Sequence, residues 1–236
     1  MPEVIAPAKL TLSLRITGRR DDGYHLVDAE MVSLDLADEL TFAQGDGLEV
    51  VEAGSGLPVA AGDDNLVRVA LRAAGRTARV RLVKRIPAGA GLGGGSSDAA
   101  AVLRWAGIDD LGVAASVGAD VAFCLRGGRA RVRGIGEVVE PLPFEDRTFT
   151  LLTPPFGCST RAVYRAWDEL GGPGGAGAND LEAAALVVEP RLTEWRDRLA
   201  DVTGRSPQLA GSGSTWFVEG RFPGDGRVVT RTRRAT

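Results

Sequence analysis

Residues 86–100 read IPAGAGLGGGSSDAA, with glycine at 89, 91, 93, 94 and 95 and a serine pair at 96 and 97. Glycine at that density favours neither strand nor helix, so the stretch is read by what flanks it. Before it, ARVRLVKRI (78–86) puts Val80, Leu82 and Lys84 on one face of an alternating run, the mark of a strand. After it, Ala99, Val102, Leu103 and Ala106 recur at helical spacing up to Gly107, which marks the helix end. Strand, bare loop and helix in succession form the arrangement in which unpaired N–H groups at a helix N-terminus meet an anion. Lacking a Cβ, Gly89, Gly91, Gly93, Gly94 and Gly95 would let a phosphate reach the backbone, and a branched side chain at Gly93 is expected to stand where the anion sits. Ser96 and Ser97 are expected at the N-cap and first turn, as hydroxyl donors or a Mg²⁺ ligand.

Two familiar phosphate loops fit poorly. The P-loop pattern G-x-x-x-x-G-K-[ST] needs a lysine after its glycines, and none follows here. The dinucleotide pattern G-x-G-x-x-G matches at Gly89, Gly91 and Gly94, with Asp109 and Asp110 about 20 residues on. That acidic pair should end a second strand, however, and GIDDLGVAASVG (107–118) is no strand. The pattern should also open its domain, whereas residues 1–85 precede it and are largely β in character.

The 236 residues, 44% of them hydrophobic, suffice for one large core or two small ones, and two are expected. A formal charge of −3 leaves no nucleic-acid footprint. No run approaches the roughly 18 apolar residues of a membrane helix. MPEVIAPAKL (1–10) lacks a charged segment followed by an apolar one, so no secretory signal is expected and the cytoplasm is the expected location. Cys124 and Cys158, without C-x-x-C spacing, read as small buried hydrophobes. With His25 the single histidine, a Ser-His-Asp triad elsewhere and a zinc site are both disfavoured. All but two of the 28 basic residues are arginine; the exceptions, Lys9 and Lys84, mark places where a compact ammonium suits and a guanidinium does not.

Along the chain, AKLTLSLRI (8–16), residues 26–42 and 47–53, RARVRG (129–134) and TFTLLTP (148–154) read as strands. GRRDDGYH (18–25) is a turn, and DDNLVRVALRAAG (63–75) a helix capped by Asp63 or Asp64. Helices are expected around 159–170, 178–187 and 190–200, with a strand pair around 207–220. GGPGGAGA (171–178) reads as a surface loop and RVVTRTRRAT (227–236) as a solvated basic tail. A boundary near PLPFEDR (141–147) divides the chain into domains 1–145 and 146–236.

PAGAGLGGGSSDAA resembles the second motif of the GHMP kinases, in outline P-x-x-x-G-L-G-S-S-A-A. The triple glycine followed by Ser-Ser resembles the branch that acts on 4-diphosphocytidyl-2-C-methyl-D-erythritol. APAKLTLSLRITGRRDDGYH (6–25) is similar to the first motif of that branch, and VGADVAFCLRGGRARVRGIGE (117–137) to its G-A-D-V-P-F-F segment. STRAVYRAW (159–167) and NDLE (179–182) match its later half and LAGSGSTWF (209–217) resembles its third glycine motif, so the resemblance runs from residue 6 to about residue 220.

The resemblance implies an α+β, two-domain kinase: an N-terminal domain like the second domain of ribosomal protein S5 and a ferredoxin-like C-terminal domain. It implies transfer of the γ-phosphate of ATP to the 2-hydroxyl of the cytidine-diphosphate-linked alcohol, a step of the non-mevalonate isoprenoid pathway. By motif position Lys9 and Asp120 are the catalytic pair, and Thr11, Tyr24 and His25 meet the substrate. The ring of Tyr24 would stack on the pyrimidine, and the imidazole would offer its edge a donor and an acceptor. Pro87, Ala88, Ala90 and Leu92 join the glycines and serines of the loop in holding ATP, with Asn65 and Lys84 at the adenine pocket. Mg²⁺ is expected with ATP, but no protein ligand is assigned to it; a monomer or weak homodimer is expected. Three departures stand out: Thr11 where asparagine is usual, Ala122 in place of proline, and a shorter stretch from Ser96 to Gly118. Two other readings are a GHMP kinase for a sugar, homoserine or mevalonate-type alcohol, and a non-catalytic nucleotide-binding homologue.

Overall fold

A computed structural model describes residues 2–53, 57–172 and 177–235; part of the loop expected at 171–178 lies outside the described residues. Two long alternating runs, β1 (Glu3–Arg19) and β2 (His25–Ala43), pair as an antiparallel hairpin from Glu3 opposite Thr41 to Arg19 opposite His25. Its turn is closed by the Arg20 N–H donating to the Tyr24 carbonyl at 2.8 Å. Register shifts between Pro7 and Lys9 and between Thr11 and Ser13 flank the two side chains that matter most on β1, as bulges do when they re-aim a strand.

β2 is the hub. It also pairs antiparallel with β4 (Arg79–Lys84), β5 (Arg129–Gly134) and β10 (Arg227–Arg233). β3 (Gly47–Glu52) lies parallel to β4, and β6 (Val138–Pro141) extends β5. Through β10 the sheet continues into β7 (Thr148–Leu152), β9 (Trp216–Glu219) and β8 (Gln208–Leu209). The chain crosses from β6 to β7 through residues 142–147.

Against this sheet pack α1 (Leu66–Ala73), α2 (Gly94–Ala106), α3 (Leu111–Val117) and α4 (Val121–Arg126), and later α5 (Thr160–Glu169), α6 (Glu182–Val188) and α7 (Leu192–Thr203). Helix α2 is buried from Ser97 to Leu103, and its small residues let it lie close to β1, α1 and α4. A second, smaller core joins Ala8, Leu10, Val32, Leu34, Phe149 and Phe217 to Ile86, Ala90 and Leu92 of the glycine-rich segment. Among the described residues no helix is long and apolar enough to cross a membrane.

Three expectations are corrected. The cap of α1 is Asn65, whose Oδ1 accepts from the Val67 N–H at 2.9 Å, not Asp63 or Asp64. Helix α2 starts at Gly94 behind an N-cap at Gly93 with φ +67°, so both serines lie inside its first turn. The basic tail is strand β10, paired with β7 over Arg227–Arg231 and with β2 at Thr232 and Arg233. Its arginines hide a β-branched alternation: Thr230 is buried with its hydroxyl on Asp35, and the Thr232 hydroxyl donates to the Glu145 carbonyl at 2.7 Å.

Candidate active site

The glycine-rich segment is a braced loop. Gly89, Gly91 and Gly93 take φ of +72°, +79° and +67°, while the alternate residues Ala90 and Leu92 are buried. The Ala90 carbonyl accepts from the Thr215 N–H at 3.1 Å and the Leu92 carbonyl from the Lys9 N–H at 3.0 Å. With the carbonyls tied back, the N–H groups of residues 88–93 carry no hydrogen bond to any described residue. Bare N–H groups leading into a helix N-terminus fit a polyphosphate.

The glycines also answer to protein neighbours. A Cβ on Gly91 would lie 2.4 Å from the Ala210 carbonyl oxygen and 2.7 Å from that of Gly213, so the third glycine motif packs directly on the loop. A Cβ on Gly93 would lie 2.6 Å from Lys9 Cγ, and one on Gly94 3.0 Å from Lys84 Nζ. This corrects the expectation for Gly93: a branched residue there meets the stem of Lys9. Ser97 is likewise corrected, since its hydroxyl is buried and donates to the Pro7 carbonyl, pinning α2 to β1, while Ser96 lines the cleft.

Lys9 is threaded between Gly93 and Gly211 and is buried. Its ammonium lies 3.2 Å from Thr11 Oγ1 and 3.2 Å from Asp120 Oδ2. Asp120 occupies the N-cap position of α4 but makes no capping hydrogen bond, and its half-exposed carboxylate faces Lys9. Thr11 therefore steadies the ammonium.

Lys84 lines the cleft, but its ammonium is engaged by the protein. Nζ is held between Asp38 Oδ2 at 2.5 Å and Asp98 Oδ2 at 2.8 Å, all three residues being buried. The other oxygen of Asp38 accepts from the Arg85 and Ile86 N–H groups, fixing the exit from β4 into the loop. Asn65 is similarly engaged, with Oδ1 on its cap and Nδ2 donating to the Ala60 carbonyl at 2.9 Å. One ammonium cannot neutralise two buried carboxylates, and burial pushes the Asp98 carboxyl up to about 7 against the pull of Lys84. Between its ordinary value of 3.8 and about 7, the folded chain holds a proton that the unfolded chain has lost. Stability should therefore fall as pH rises through that window and level off above it. In Asp98→Asn this loss is removed, so the variant's stability relative to wild type should climb from about pH 4 to about pH 7 in urea titrations. A gap independent of pH would show that Asp98 is ionised throughout.

At the far end of the cleft the hairpin turn presents Tyr24, 61% exposed, and His25, nearly buried. The imidazole stacks on Tyr164 with centroids 4.8 Å apart, meets the Trp167 ring edge-on at 5.6 Å, and has Nε2 2.8 Å from Asp168 Oδ1. One ring nitrogen is thus engaged by the protein, which corrects the expectation that both would face a pyrimidine. Burial, reinforced by the charge of Asp120, pushes the Tyr164 hydroxyl up to about 12, which keeps it a neutral donor. Loop, Lys9, Asp120, Tyr164 and His25 line one cleft of about 1100 Å³, ample for two ligands.

Sequence reasoning missed Tyr164, Trp167 and Asp168, although their i, i+3, i+4 spacing on a helix was a usable signal. It also left NDLE without a role. Asn179 Nδ2 donates to the Leu209 and Gly211 carbonyls at 2.9 and 2.7 Å, and Asp180 Oδ2 accepts from the Ile16 N–H, so the segment clamps the third glycine motif to β1. Both cysteines are free, and burial pushes the Cys124 thiol up to about 12. Among the described residues no group of His, Cys, Asp and Glu is placed to hold a metal.

Residues 65–128 match the model of the GHMP kinase N-terminal domain. A 4-diphosphocytidyl-2-C-methyl-D-erythritol kinase of Paracoccus denitrificans is 40% identical over 232 residues, covering 90% of this chain and 84% of that one. The chain belongs to that kinase family. A crystal structure of a 4-(cytidine 5′-diphospho)-2C-methyl-D-erythritol kinase superposes with a TM-score of 0.77 at 33% identity, covering 98% of this chain and 99% of that one. A homoserine kinase from Cytophaga hutchinsonii shares the fold at a TM-score of 0.62 and 16% identity, covering 99% of this chain and 94% of that one. The α+β expectation and the GHMP kinase fold are thus borne out, and the family is one of ATP-using phosphotransferases.

Proposed function

We propose that the chain transfers the terminal phosphoryl group of ATP to the 2-hydroxyl of 4-diphosphocytidyl-2-C-methyl-D-erythritol. The observation that carries the reading is the Lys9–Asp120 pair, 3.2 Å apart, set against a loop of unpartnered N–H groups. The loop N–H groups and the N-terminus of α2 hold the triphosphate. Asp120 takes the proton of the attacking hydroxyl as its oxygen bonds to the γ-phosphorus and the bond to the ADP oxygen breaks. Lys9 keeps that carboxylate ionised beforehand and offsets charge building on the transferred group. Mg²⁺, expected with ATP, would neutralise phosphate charge, and Ser96 and Asp120, which line the cleft, would offer it oxygen.

Tyr24 stacks on the cytosine and His25 meets its edge, while Asn65 and Lys84 act by fixing the walls of the ATP site. Division near residue 145, a cytoplasmic location and action as a monomer or weak homodimer belong to the same reading. Coupled ADP release tests it: the cytidine-capped alcohol should be turned over far better than uncapped methylerythritol. Equal use of the two would move the assignment to another GHMP alcohol kinase. Tyr24→Ala should lose stacking worth about 1–3 kcal/mol. Because the cap is remote from the reacting phosphorus, KM should rise with kcat nearly unchanged, and a fall confined to kcat would remove Tyr24 from the cap site.

A further inference from the structure

We infer that Asp168 fixes the tautomer of His25 and thereby selects the nucleobase of the capped substrate, an inference that rests on the reading of the cleft just given. Asp168 and His25 lie 143 positions apart and are brought together by packing α5 against the start of β2. Three residues on one face of α5 immobilise the ring: Tyr164 beneath it, Trp167 edge-on, and Asp168 on Nε2 at 2.8 Å. The carboxylate is itself held by Arg19, whose Nη1 lies 3.4 Å from Oδ2.

A carboxylate only accepts, so Nε2 carries the proton, and in the neutral ring Nδ1 is left with a bare lone pair. His25 lines the cleft, and Nδ1 has no hydrogen-bond partner among the described residues. An acceptor aimed at position 4 of a pyrimidine welcomes the amino group of cytosine and opposes the carbonyl oxygen of uracil. Asp168 is therefore a positioning residue: it acts through the imidazole, and it decides which hydrogen-bonding sign His25 shows. Without it the ring exchanges between tautomers, and the discrimination is lost.

The chain has a single histidine, so ¹⁵N-histidine labelling of untagged protein reads His25 alone. At mildly alkaline pH the wild-type spectrum should show the Nε2-protonated tautomer, and Asp168→Ala a mixture of the two. In parallel, the ratio of kcat/KM for cytidine-capped over uridine-capped alcohol should fall about tenfold or more in Asp168→Ala, mainly through KM, as befits the loss of one oriented hydrogen bond. An Nδ1-protonated ring in the wild type would overturn the inference, and needs no variant to be folded. So would an unchanged ratio in a folded Asp168→Ala protein. Failure of the wild type to prefer capped over uncapped alcohol would instead overturn the reading of the cleft, while the spectrum would still decide whether Asp168 sets the tautomer.

Discussion

Asp120→Asn should lower turnover by roughly 10²–10⁴, the contribution of a positioned base, with substrate and nucleotide affinity largely kept. The amide keeps the shape of the carboxylate, and the side chain makes no capping bond for α4 to lose, so the one structural change is the loss of the charge opposite buried Lys9. Lys9→Ala should fall at least as far, for it removes the charge 3.2 Å from Asp120 and opens a gap beneath Gly93 and Gly211. Lys9→Arg should fail to restore activity. The channel is too tight for a guanidinium, since a single added carbon at Gly93 would already stand 2.6 Å from the lysine stem. Single-turnover kinetics with both ligands saturating separates chemistry from binding. Near-normal turnover in Asp120→Asn would place the proton acceptor elsewhere.

The second large effect is structural in origin and catalytic in outcome. Gly91→Ala puts a methyl group among backbone atoms of residues 210 and 213, which cannot rotate aside, at a φ of +79°. The cost should be about 3 kcal/mol or more, from overpacking and the positive φ together. That corresponds to a fall of about 6 °C or more in melting temperature. Because the displaced contact is the one bracing the phosphate loop, KM for ATP should rise steeply in whatever protein remains folded. Gly75→Ala is the control: it shares a positive φ of +59° but meets nothing within 4 Å, so it should cost only about 1–2 kcal/mol and leave ATP affinity alone. Equal behaviour of the two variants would mean that the third glycine motif does not support the loop.

The chain order of strand, glycine loop and helix was legible because each has its own local signal: alternation in 78–86, glycine density at 89–95, and helical spacing from Ala99 to Ala106. The same ordered motifs marked Lys9, Asp120, Tyr24 and His25, and these four line one cleft. Local patterns failed where a charged residue is matched by a distant partner. Strand β10 looked like a solvated tail because its arginines dominate its composition, yet Arg231 pairs with Asp146 and its threonines meet Asp35 and Glu145. The burial of the Lys84 ammonium between carboxylates was not legible either, because nothing nearby in sequence shows that Asp38, 46 positions away, will be packed against it.

The sequence by itself therefore determined the order of elements, the glycines of the loop and the kinds of residue in the cleft, since periodicity and backbone freedom are properties of neighbouring residues. Only the tertiary structure decided which glycine makes room for a protein atom. It also decided that the Lys84 ammonium is held between two buried carboxylates, and which nitrogen of His25 remains available. Each of those is set by a contact between residues far apart in the chain, and a buried charge or a missing Cβ acquires its meaning only from the atom packed against it.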